Sequence, residues 1–322
     1  LAQRASFEEV VYLLHHEKLP DAKDLAEFRE LLTAERHIPD SVIASLRACP
    51  PDALPMDILQ AGVSLLASHD PDLTEMNAEA ADRKAVRLVA KFPVLLAAWH
   101  RIRQGKEPVT AVPDLDHAGN FLYMLSGKRP DEEVAHFMDV ALVLHAEHSF
   151  NASTFAAREV ASTRAHMYAA VSAAVGSLSG ELHGGANVRV MEMLKEIGSV
   201  DKVEAYVHKQ LDEGKKLFGL GHAVYKVDDP RAHILAPMSR KMGERIGEPQ
   251  WYEISRAVEQ QGKAVFKERK GIDIFTNVDF YSASLYYALG IPIDFFTPVF
   301  AVSRVAGWTA HVIEEQYAEA AE

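Results

Sequence analysis

Residues 81–105, ADRKAVRLVAKFPVLLAAWHRIRQG, carry apolar side chains at helical spacing over most of their length. This periodicity predicts one long helix that is kinked or interrupted at Pro93 and ends before Gly105. Residues 131–150, DEEVAHFMDVALVLHAEHSF, predict a second helix, because acidic residues in a first turn favour a helix N-terminus. Strand signals are few, and the best one is IDIFTNVDFY at 272–281. The predicted fold class is therefore all-α.

Composition and charge limit the class of protein and its partners. The chain has 322 residues, 48% of them hydrophobic and 25% charged, and its formal net charge is −12. This acidic balance argues against nucleic acid and anionic membranes as partners. A single cysteine excludes an internal disulfide framework and fits a reducing compartment, and no apolar run approaches the ~18 residues of a membrane span. We therefore expect a cytoplasmic protein.

Charge density changes along the chain. Residues from about 188 to 270 are more charged than the apolar segments on either side, as in DKVEAYVHKQLDEGKK at 201–216. This change suggests a smaller, more exposed domain that is inserted between two parts of a more apolar one. We find no internal repeat and no low-complexity segment, so a repeat architecture is not indicated.

Two histidines, His145 and His148, lie three residues apart in LHAEHSFNAS at 144–153. In a helix this spacing places both side chains on one face. Three interpretations stay open: a metal site, packed or helix-capping histidines, and a site for an anion. The H-E-x-x-H motif is absent and no third ligand follows nearby, so the metal interpretation has the least support.

The stretch ELHGGAN at 181–187 places His183 directly before two glycines. Glycine lets the backbone approach a ligand closely, and a helix could start at about Asn187. A helix N-terminus disfavours the imidazole cation, and a neutral imidazole can donate a hydrogen bond to a developing enolate. The alternative interpretation is a glycine turn with an incidental histidine.

The stretch GLGHAVYK at 219–226 contains His222 and is neither a dinucleotide fingerprint nor a P-loop. Arg231 follows nine residues later, and its guanidinium matches a carboxylate through two hydrogen bonds. In the alternative interpretation, Asp228 or Asp229 pairs with Arg231 in an ordinary salt bridge.

Asp279 and Arg304 are charged residues in apolar stretches. Asp279 lies between Val278 and Phe280. Apolar surroundings favour the protonated form of a carboxyl group, so Asp279 is a candidate general base near neutral pH, or alternatively the cap of a helix that starts at about 280. Arg304 shares a predicted helical stripe with two aromatic residues, and it must meet a protein carboxylate or an anionic ligand. Together, these arginines, histidines and the carboxylate suit a dicarboxylate substrate and carbon-acid chemistry.

Five segments resemble the citrate synthase family, in the family's order and spacing. They are HAEHSFNASTF, ELHGGAN, GLGHAVYKVDDPRA, NVDFYS and FFTPVFAVSRVAGWTAHVIE. The resemblance covers essentially the whole chain. It implies a two-domain helical homodimer with a large domain at 1–185 and 291–322, and a mobile small domain at 186–290. It also implies condensation of acetyl-CoA with oxaloacetate and water to citrate and CoA, with no metal or redox cofactor.

The resemblance assigns catalytic roles to three residues. Asp279 would take a proton from the thioester methyl group. His183 would donate a hydrogen bond to the resulting enol oxygen, and His222 would polarise the oxaloacetate carbonyl group.

The resemblance also implies binding residues for both substrates. His148, Arg231 and Arg304 would hold the oxaloacetate carboxylates and keto group. For CoA, the candidates are aromatic, glycine and basic positions: Phe218, Gly219, Lys226, Lys263, Lys267, Arg269 and Lys270. A run of basic residues usually forms a solvated face, which is the alternative for these lysines.

Two departures and three rival functions qualify the resemblance. Family chains extend beyond both ends of this sequence, and the C-terminal stretch normally carries an arginine that reaches the partner subunit's oxaloacetate. A chain without that arginine would be weakly active or inactive. Ala223 stands where many bacterial members have arginine, and other members carry alanine. The rival functions are a 2-methylcitrate synthase that uses propionyl-CoA, a non-catalytic protein on the same scaffold, and a metal-binding helical protein.

Overall fold

The computed structural model describes residues 1–221 and 227–318. Within these residues the chain is all-helical, which confirms the predicted fold class. The helices, in chain order, are α1 (Phe7–His16), α2 (Ala22–Ala34), α3 (Asp40–Arg47), α4 (Pro55–Ala67), α5 (Ala78–Arg103), α6 (His117–Ser126), α7 (Glu132–His145), α8 (Ala152–Ser162), α9 (Met167–Leu178), α10 (Ala186–Ile197), α11 (Val203–Asp212), α12 (Pro230–Ile246), α13 (Gln250–Lys270), α14 (Asp279–Ala288) and α15 (Phe296–Tyr317).

Helix α5 confirms the long helix predicted from residues 81–105. It begins three residues earlier, at Ala78, because the Asn77 side chain accepts a hydrogen bond from the N–H of Ala80. The helix continues through Pro93, so this proline does not divide it into two helices. Phe92 and Trp99 are fully buried, and each contributes roughly 1.5–3 kcal/mol through the apolar surface it removes from water.

The contacts divide the chain into two compact units. One consists of Leu1–His183 with Thr297–Glu322, and the other of Gly184–Phe296. In the first unit, α4 packs on α5 and α9, α6 packs on α5 and α7, and α8 packs on α9. In the second unit, α14 packs against α10, α12 and α13, with Phe280 and Tyr286 fully buried. The predicted domain boundaries at 185/186 and 290/291 stay a prediction.

The strand signal at 272–281 does not correspond to a strand in the structure. Within the described residues, this stretch makes one isolated antiparallel bridge, between Leu220 and Thr276, and then enters α14 at Asp279. A short apolar run cannot distinguish a strand from a buried helix start by its periodicity alone. Among the described helices, none is long and apolar enough to span a lipid bilayer.

Asp139 on α7 is a buried carboxyl group whose protonation changes with pH. It is 6% exposed, and its Oδ1 accepts a hydrogen bond from the N–H of Phe7 at 2.9 Å. Burial raises the pKa of Asp139 from 3.8 to about 7. The hydrogen bond from the Phe7 N–H opposes this shift, and the nearby carboxylates of Glu8 and Asp116 add to it. The folded state therefore holds a proton that the unfolded chain releases at lower pH.

We expect Asp139→Asn to stabilise the protein increasingly as the pH rises. The folded-state pKa lies above the unfolded one, so this group's stabilising contribution is complete below pH 4 and is lost as the pH rises through 7. Asparagine keeps an acceptor for the Phe7 N–H and does not ionise. The difference between the free energies of unfolding of Asp139→Asn and the wild type should increase by about 3 kcal/mol, in favour of the variant, between pH 5 and pH 8.

Urea denaturation at both pH values measures this difference. Asp52→Asn is the control, because Asp52 is exposed in the loop between α3 and α4. A difference between Asp139→Asn and the wild type that does not change with pH would contradict the prediction.

Candidate active site

His183 is held by the N-terminus of α8. Asn151 caps this helix, since its side chain accepts a hydrogen bond from the N–H of Thr154. Ser153 lies in the first turn of α8, where the backbone N–H has no acceptor within the helix, and this N–H lies 3.2 Å from His183 Nε2. The Ser153 hydroxyl lies 2.8 Å from the same nitrogen and accepts a hydrogen bond from Trp308 Nε1 at 3.1 Å. Ser153 and Trp308 are fully buried, so they fix the imidazole in position.

The contact with the Ser153 N–H assigns the proton of His183 to one ring nitrogen. A backbone N–H can only donate, so this contact is a hydrogen bond when Nε2 accepts and the hydrogen lies on Nδ1. Burial lowers the pKa of His183 from 6.5 to about 4, and the Arg304 cation adds to this effect. His183 is therefore a neutral imidazole near pH 7, with a donor at Nδ1.

The source of the neutral imidazole differs from the sequence prediction. The helix expected at about Asn187 is confirmed, since α10 begins at Ala186. However, the backbone N–H that hydrogen-bonds His183 belongs to α8, which begins 31 residues before His183 at Ala152. A helix N-terminus disfavours a cation beside it, so α8 adds to burial and the Arg304 cation in keeping His183 neutral.

Arg304 lies on α15 with the two aromatic residues that the sequence pattern placed beside it. The exposed fractions of Phe300, Arg304 and Trp308 are 9%, 1% and 0%. Arg304 Nε donates to the carbonyl oxygen of His145 at 2.7 Å, and the guanidinium lies 4.6 Å from the centre of the Phe300 ring. A carbonyl oxygen and an aromatic ring thus orient this buried cation.

The expectation that His145 and His148 share one helix face is wrong. Helix α7 ends at His145, which is buried and has its Nδ1 2.7 Å from the Ala141 carbonyl oxygen. His148 follows in the loop before α8 and is half-buried. Residues 1–221 and 227–318 contain no group of three or more potential ligand side chains placed to hold a metal ion.

In the second unit, Asp279 is the first residue of α14. Val278 occupies the cap position, and the N–H of Asp279 donates to Asn277 Oδ1 at 3.1 Å. The interpretation of Asp279 as the helix cap is therefore wrong. Asp279 is half-buried, and its charge adds to burial in raising the pKa of Tyr286 on the same helix.

Two glycines of the GLGHAVYK segment pair with the residues that lead into Asp279. The N–H of Gly221 donates to the Phe275 carbonyl oxygen at 2.6 Å, and the N–H of Asn277 donates to the Gly219 carbonyl oxygen at 3.0 Å. Gly219 has a φ of 80°, and a Cβ there would overlap the Phe280 ring. Glycine is thus required at 219 by both its backbone conformation and its close packing.

Two predicted site residues, His222 and Lys226, lie outside the described residues. The residues that follow them are well defined. Asp228 Oδ1 accepts from the N–H of Thr276 at 2.9 Å and from its hydroxyl at 3.0 Å. The N–H of Asp229 donates to the Thr276 carbonyl oxygen at 2.9 Å. Thr276 therefore anchors the chain directly after the segment that carries His222.

Arg231 forms the salt bridge that the sequence left open. Its Nε and Nη2 donate to the two oxygens of Asp229 at 3.0 and 2.7 Å. Asp229 is fully buried and caps α12 by accepting from the N–H of Arg231. This bidentate pair fixes the plane of the guanidinium.

The predicted CoA cations make local contacts in the second unit. Lys267 pairs with Asp273 at 2.9 Å, and Arg269 pairs with Asp212. Lys270 Nζ lies 4.9 Å from the centre of the Phe266 ring.

Lys263 and Phe218 complete this set of predicted residues. Lys263 donates to Asp228 at 2.8 Å and to Glu259 at 2.7 Å, so it links α13 to the segment that precedes Arg231. Phe218 is 37% exposed, and its ring lies 6.0 Å from the Arg189 guanidinium carbon.

Ser153, Trp308 and Asn277 also orient the candidate catalytic groups, and the sequence did not reveal them as site residues. Asn151 before an alanine-rich run is a helix-cap signal, and it would have placed the N–H of Ser153 at the first turn of a helix. The contacts of Ser153 with His183 and of Trp308 with Ser153 join distant parts of the chain and have no local signal.

Comparisons with known proteins agree on one family. The family model described as "Citrate synthase, C-terminal domain" matches residues 1–321. Citrate synthase 2 of Bacillus subtilis is 46% identical over 316 residues, which are 98% of this chain and 83% of that protein. The citrate synthase of Haloferax volcanii is 47% identical over 325 residues, with the same coverage of 98% and 83%.

A related enzyme and a solved structure extend this comparison. A 2-methylcitrate synthase of Shewanella oneidensis is 39% identical over 317 residues, 98% of this chain and 82% of that protein. The structure of citrate synthase from Thermoplasma acidophilum, in a ternary complex with carboxymethyl coenzyme A and oxaloacetate, matches with a TM-score of 0.92 and 31% identity. That match covers 98% of this chain and 83% of the other.

Proposed function

This chain belongs to the citrate synthase family of acyltransferases, and we propose that it condenses acetyl-CoA with oxaloacetate and water to give citrate and CoA. The relative from Thermoplasma acidophilum binds oxaloacetate together with a CoA analogue, which supports these two substrates. The observation that carries the proposal is the state of His183. A neutral imidazole with its hydrogen on Nδ1 is the donor that an enolate oxygen needs.

The first step forms a carbon nucleophile from acetyl-CoA. The Asp279 carboxylate takes a proton from the thioester methyl group, and the carbonyl oxygen accepts a hydrogen bond from His183 Nδ1–H as negative charge develops on it. A positioned base contributes about 10²–10⁴-fold, and one oxyanion donor contributes roughly 3–4 kcal/mol. Because a thioester methyl group is a weak acid, correct orientation of both substrates must lower the barrier by several kcal/mol more.

The second step joins the two substrates. The enol carbon attacks the keto carbon of oxaloacetate, a carbon–carbon bond forms, and the keto oxygen takes a proton to become the hydroxyl group of the product thioester. His222 polarises that keto group, while His148, Arg231 and Arg304 hold the carboxylates. Water then adds to the thioester, the carbon–sulfur bond breaks, and citrate and CoA leave.

The assembly around this chemistry is also part of the proposal. The compact unit Gly184–Phe296 supports a small domain at about 186–290. In this proposal the chain also works as a cytoplasmic homodimer, as the family resemblance implies. Sedimentation equilibrium of the purified protein tests the dimer. A monomer at micromolar concentration would contradict it.

The acyl-CoA preference has a second candidate. The 2-methylcitrate synthase of Shewanella oneidensis is 39% identical to this chain, which favours propionyl-CoA as an alternative substrate. The two acyl groups differ by one methylene, and a pocket discriminates such a difference by only about 1–3 kcal/mol. Activity with both thioesters is therefore compatible with either preference, and the ratio of their kcat/KM values decides it.

We expect thiol release from acetyl-CoA in the presence of oxaloacetate, at a kcat/KM about 10–200 times that for propionyl-CoA. Free thiol is measured with a disulfide reagent, and citrate or 2-methylcitrate is identified by mass spectrometry. Omission of oxaloacetate controls for simple thioester hydrolysis. Thiol release that does not depend on oxaloacetate would contradict the proposed condensation, and a higher kcat/KM for propionyl-CoA would establish the alternative.

A further inference from the structure

Helix α15 contacts the residues directly before His148. Arg304 Nε donates to the His145 carbonyl oxygen at 2.7 Å, and the N–H of Gly307 donates to the Ala146 carbonyl oxygen at 3.1 Å. Positions three apart on a helix share a face. The same face of α15 therefore binds two consecutive carbonyl groups at the end of α7.

Gly307 allows this close approach. A Cβ at this position would overlap Glu147 Oε2 and would lie 2.6 Å from the Ala146 carbonyl oxygen. Glycine in a helix interior is less favourable than alanine. The close contact between the backbone of α15 and residues 146–147 explains why glycine occupies position 307 despite this cost.

Glu147 is held by His311, one turn after Gly307. His311 Nε2 lies 3.1 Å from Glu147 Oε1, and His311 Nδ1 lies 3.1 Å from Nη1 of Arg158. An arginine can only donate, so His311 Nδ1 accepts and His311 Nε2 carries the hydrogen that is donated to Glu147. Arg158 is itself fixed by Glu315 at 2.7 Å and by the Phe150 ring at 4.8 Å.

We propose that Glu147, Gly307 and His311 are positioning residues for the oxaloacetate site. Together they hold residues 146 and 147 against α15, and this sets where the next residue, His148, lies relative to Arg304 on the same helix. This inference rests on the proposed function, in which His148 and Arg304 bind oxaloacetate. It adds three residues that do not touch the substrate themselves.

The residues on either side of His148 have two energetically unfavourable features that a simple connection between α7 and α8 does not require. Ser149 adopts a φ of 50°, a left-handed conformation that is unfavourable for a residue with a side chain. Glu147 Oε2 is buried and has no hydrogen-bond partner among the described residues. Backbone strain and an incompletely satisfied carboxylate, directly on either side of His148, are costs that cluster at functional sites.

The first test is Gly307→Ala, with Gly62→Ala as the matched control. Gly62 is also buried inside a helix, but a Cβ there would lie 3.2 Å from the flexible end of the Leu95 side chain. We expect Gly307→Ala to raise the KM for oxaloacetate about 10–100-fold, because small displacements of binding groups weaken their interactions strongly. The KM for acetyl-CoA should change less than about 3-fold, and Gly62→Ala should leave both constants within that range.

The second test uses conservative rescue and does not depend on Gly307→Ala folding. Glu147→Ala and His311→Ala remove the contact, and each should raise the KM for oxaloacetate about 10-fold. Glu147→Gln retains the acceptor for His311. His311→Gln retains a donor for Glu147 and an acceptor for Arg158. Both glutamine variants should stay within about 3-fold of the wild type, whereas equal defects in the alanine and glutamine variants would overturn the proposal.

Oxaloacetate binding by calorimetry separates this inference from the proposed function. A wild type that binds oxaloacetate without releasing thiol would refute the proposed condensation, and the Kd values of the same variants would still decide the positioning role. A wild type that does not bind oxaloacetate would overturn both. Alanine variants that lower the unfolding temperature but keep the wild-type Kd and KM for oxaloacetate would show a role in stability alone, which also overturns the inference.

Discussion

Asp279→Asn is expected to lower kcat for citrate formation by up to about 10⁴-fold, the upper end of what a positioned general base contributes. Asparagine has almost the same shape as aspartate but cannot take a proton from the thioester methyl group. Asp279 is the first residue of α14, and its backbone N–H contact with Asn277 does not involve the carboxylate. The substitution should therefore remove the base while it preserves the local structure.

The control for Asp279→Asn is Glu253→Gln. Both residues are acidic and lie in the first turn of a helix in the same unit, where a negative charge stabilises by about 0.3–1 kcal/mol. Each substitution should lower the unfolding temperature slightly, and only Asp279→Asn should lose turnover. Oxaloacetate binding, measured by calorimetry, should persist in Asp279→Asn. If that variant retains more than about a tenth of the wild-type kcat, Asp279 is not the base.

His183→Ala should lower kcat about 10²–10³-fold, because it removes the donor to the enolate oxygen. The geometry makes a sharper comparison possible. The amide nitrogen of asparagine can occupy the position of Nδ1, and that of glutamine can occupy the position of Nε2. Since His183 Nε2 accepts from the N–H of Ser153, the active donor is at Nδ1. His183→Asn should therefore retain more activity than His183→Gln, and the reverse order would contradict the assigned tautomer.

The pH dependence of kcat tests the same residue independently. Burial, with the Arg304 cation, lowers the pKa of His183 to about 4, so the neutral form persists well below the ordinary value of 6.5. Protonation of His183 should then inactivate the enzyme only as the pH falls towards 4. The wild-type kcat could instead fall near pH 6.5, and this fall could be absent in His183→Asn. That result would show that His183 is protonated in this range and would contradict the lowered pKa.

Several local features of the fold follow from the sequence because they depend on neighbours in the chain. Apolar periodicity and the first-turn acids predict α5 and α7, and both helices are present with ends shifted by a few residues. The strand signal at 272–281 is misleading, because pairing of a strand depends on a partner segment. A short apolar run carries no information about that partner. Its one bridge joins Thr276 to Leu220, 56 residues earlier.

The helical fold class, the family and the residue types that carry the chemistry can be predicted from the sequence, because helix periodicity and motif order are local or linear properties of the chain. The protonation state of His183 follows only from the three-dimensional contacts, since Ser153 lies 30 residues away and Trp308 lies still further along the chain. Only the tertiary structure also explains Gly307, whose missing side chain makes room for Glu147. Proton positions and close approaches depend on which distant groups meet, and a linear pattern does not specify that.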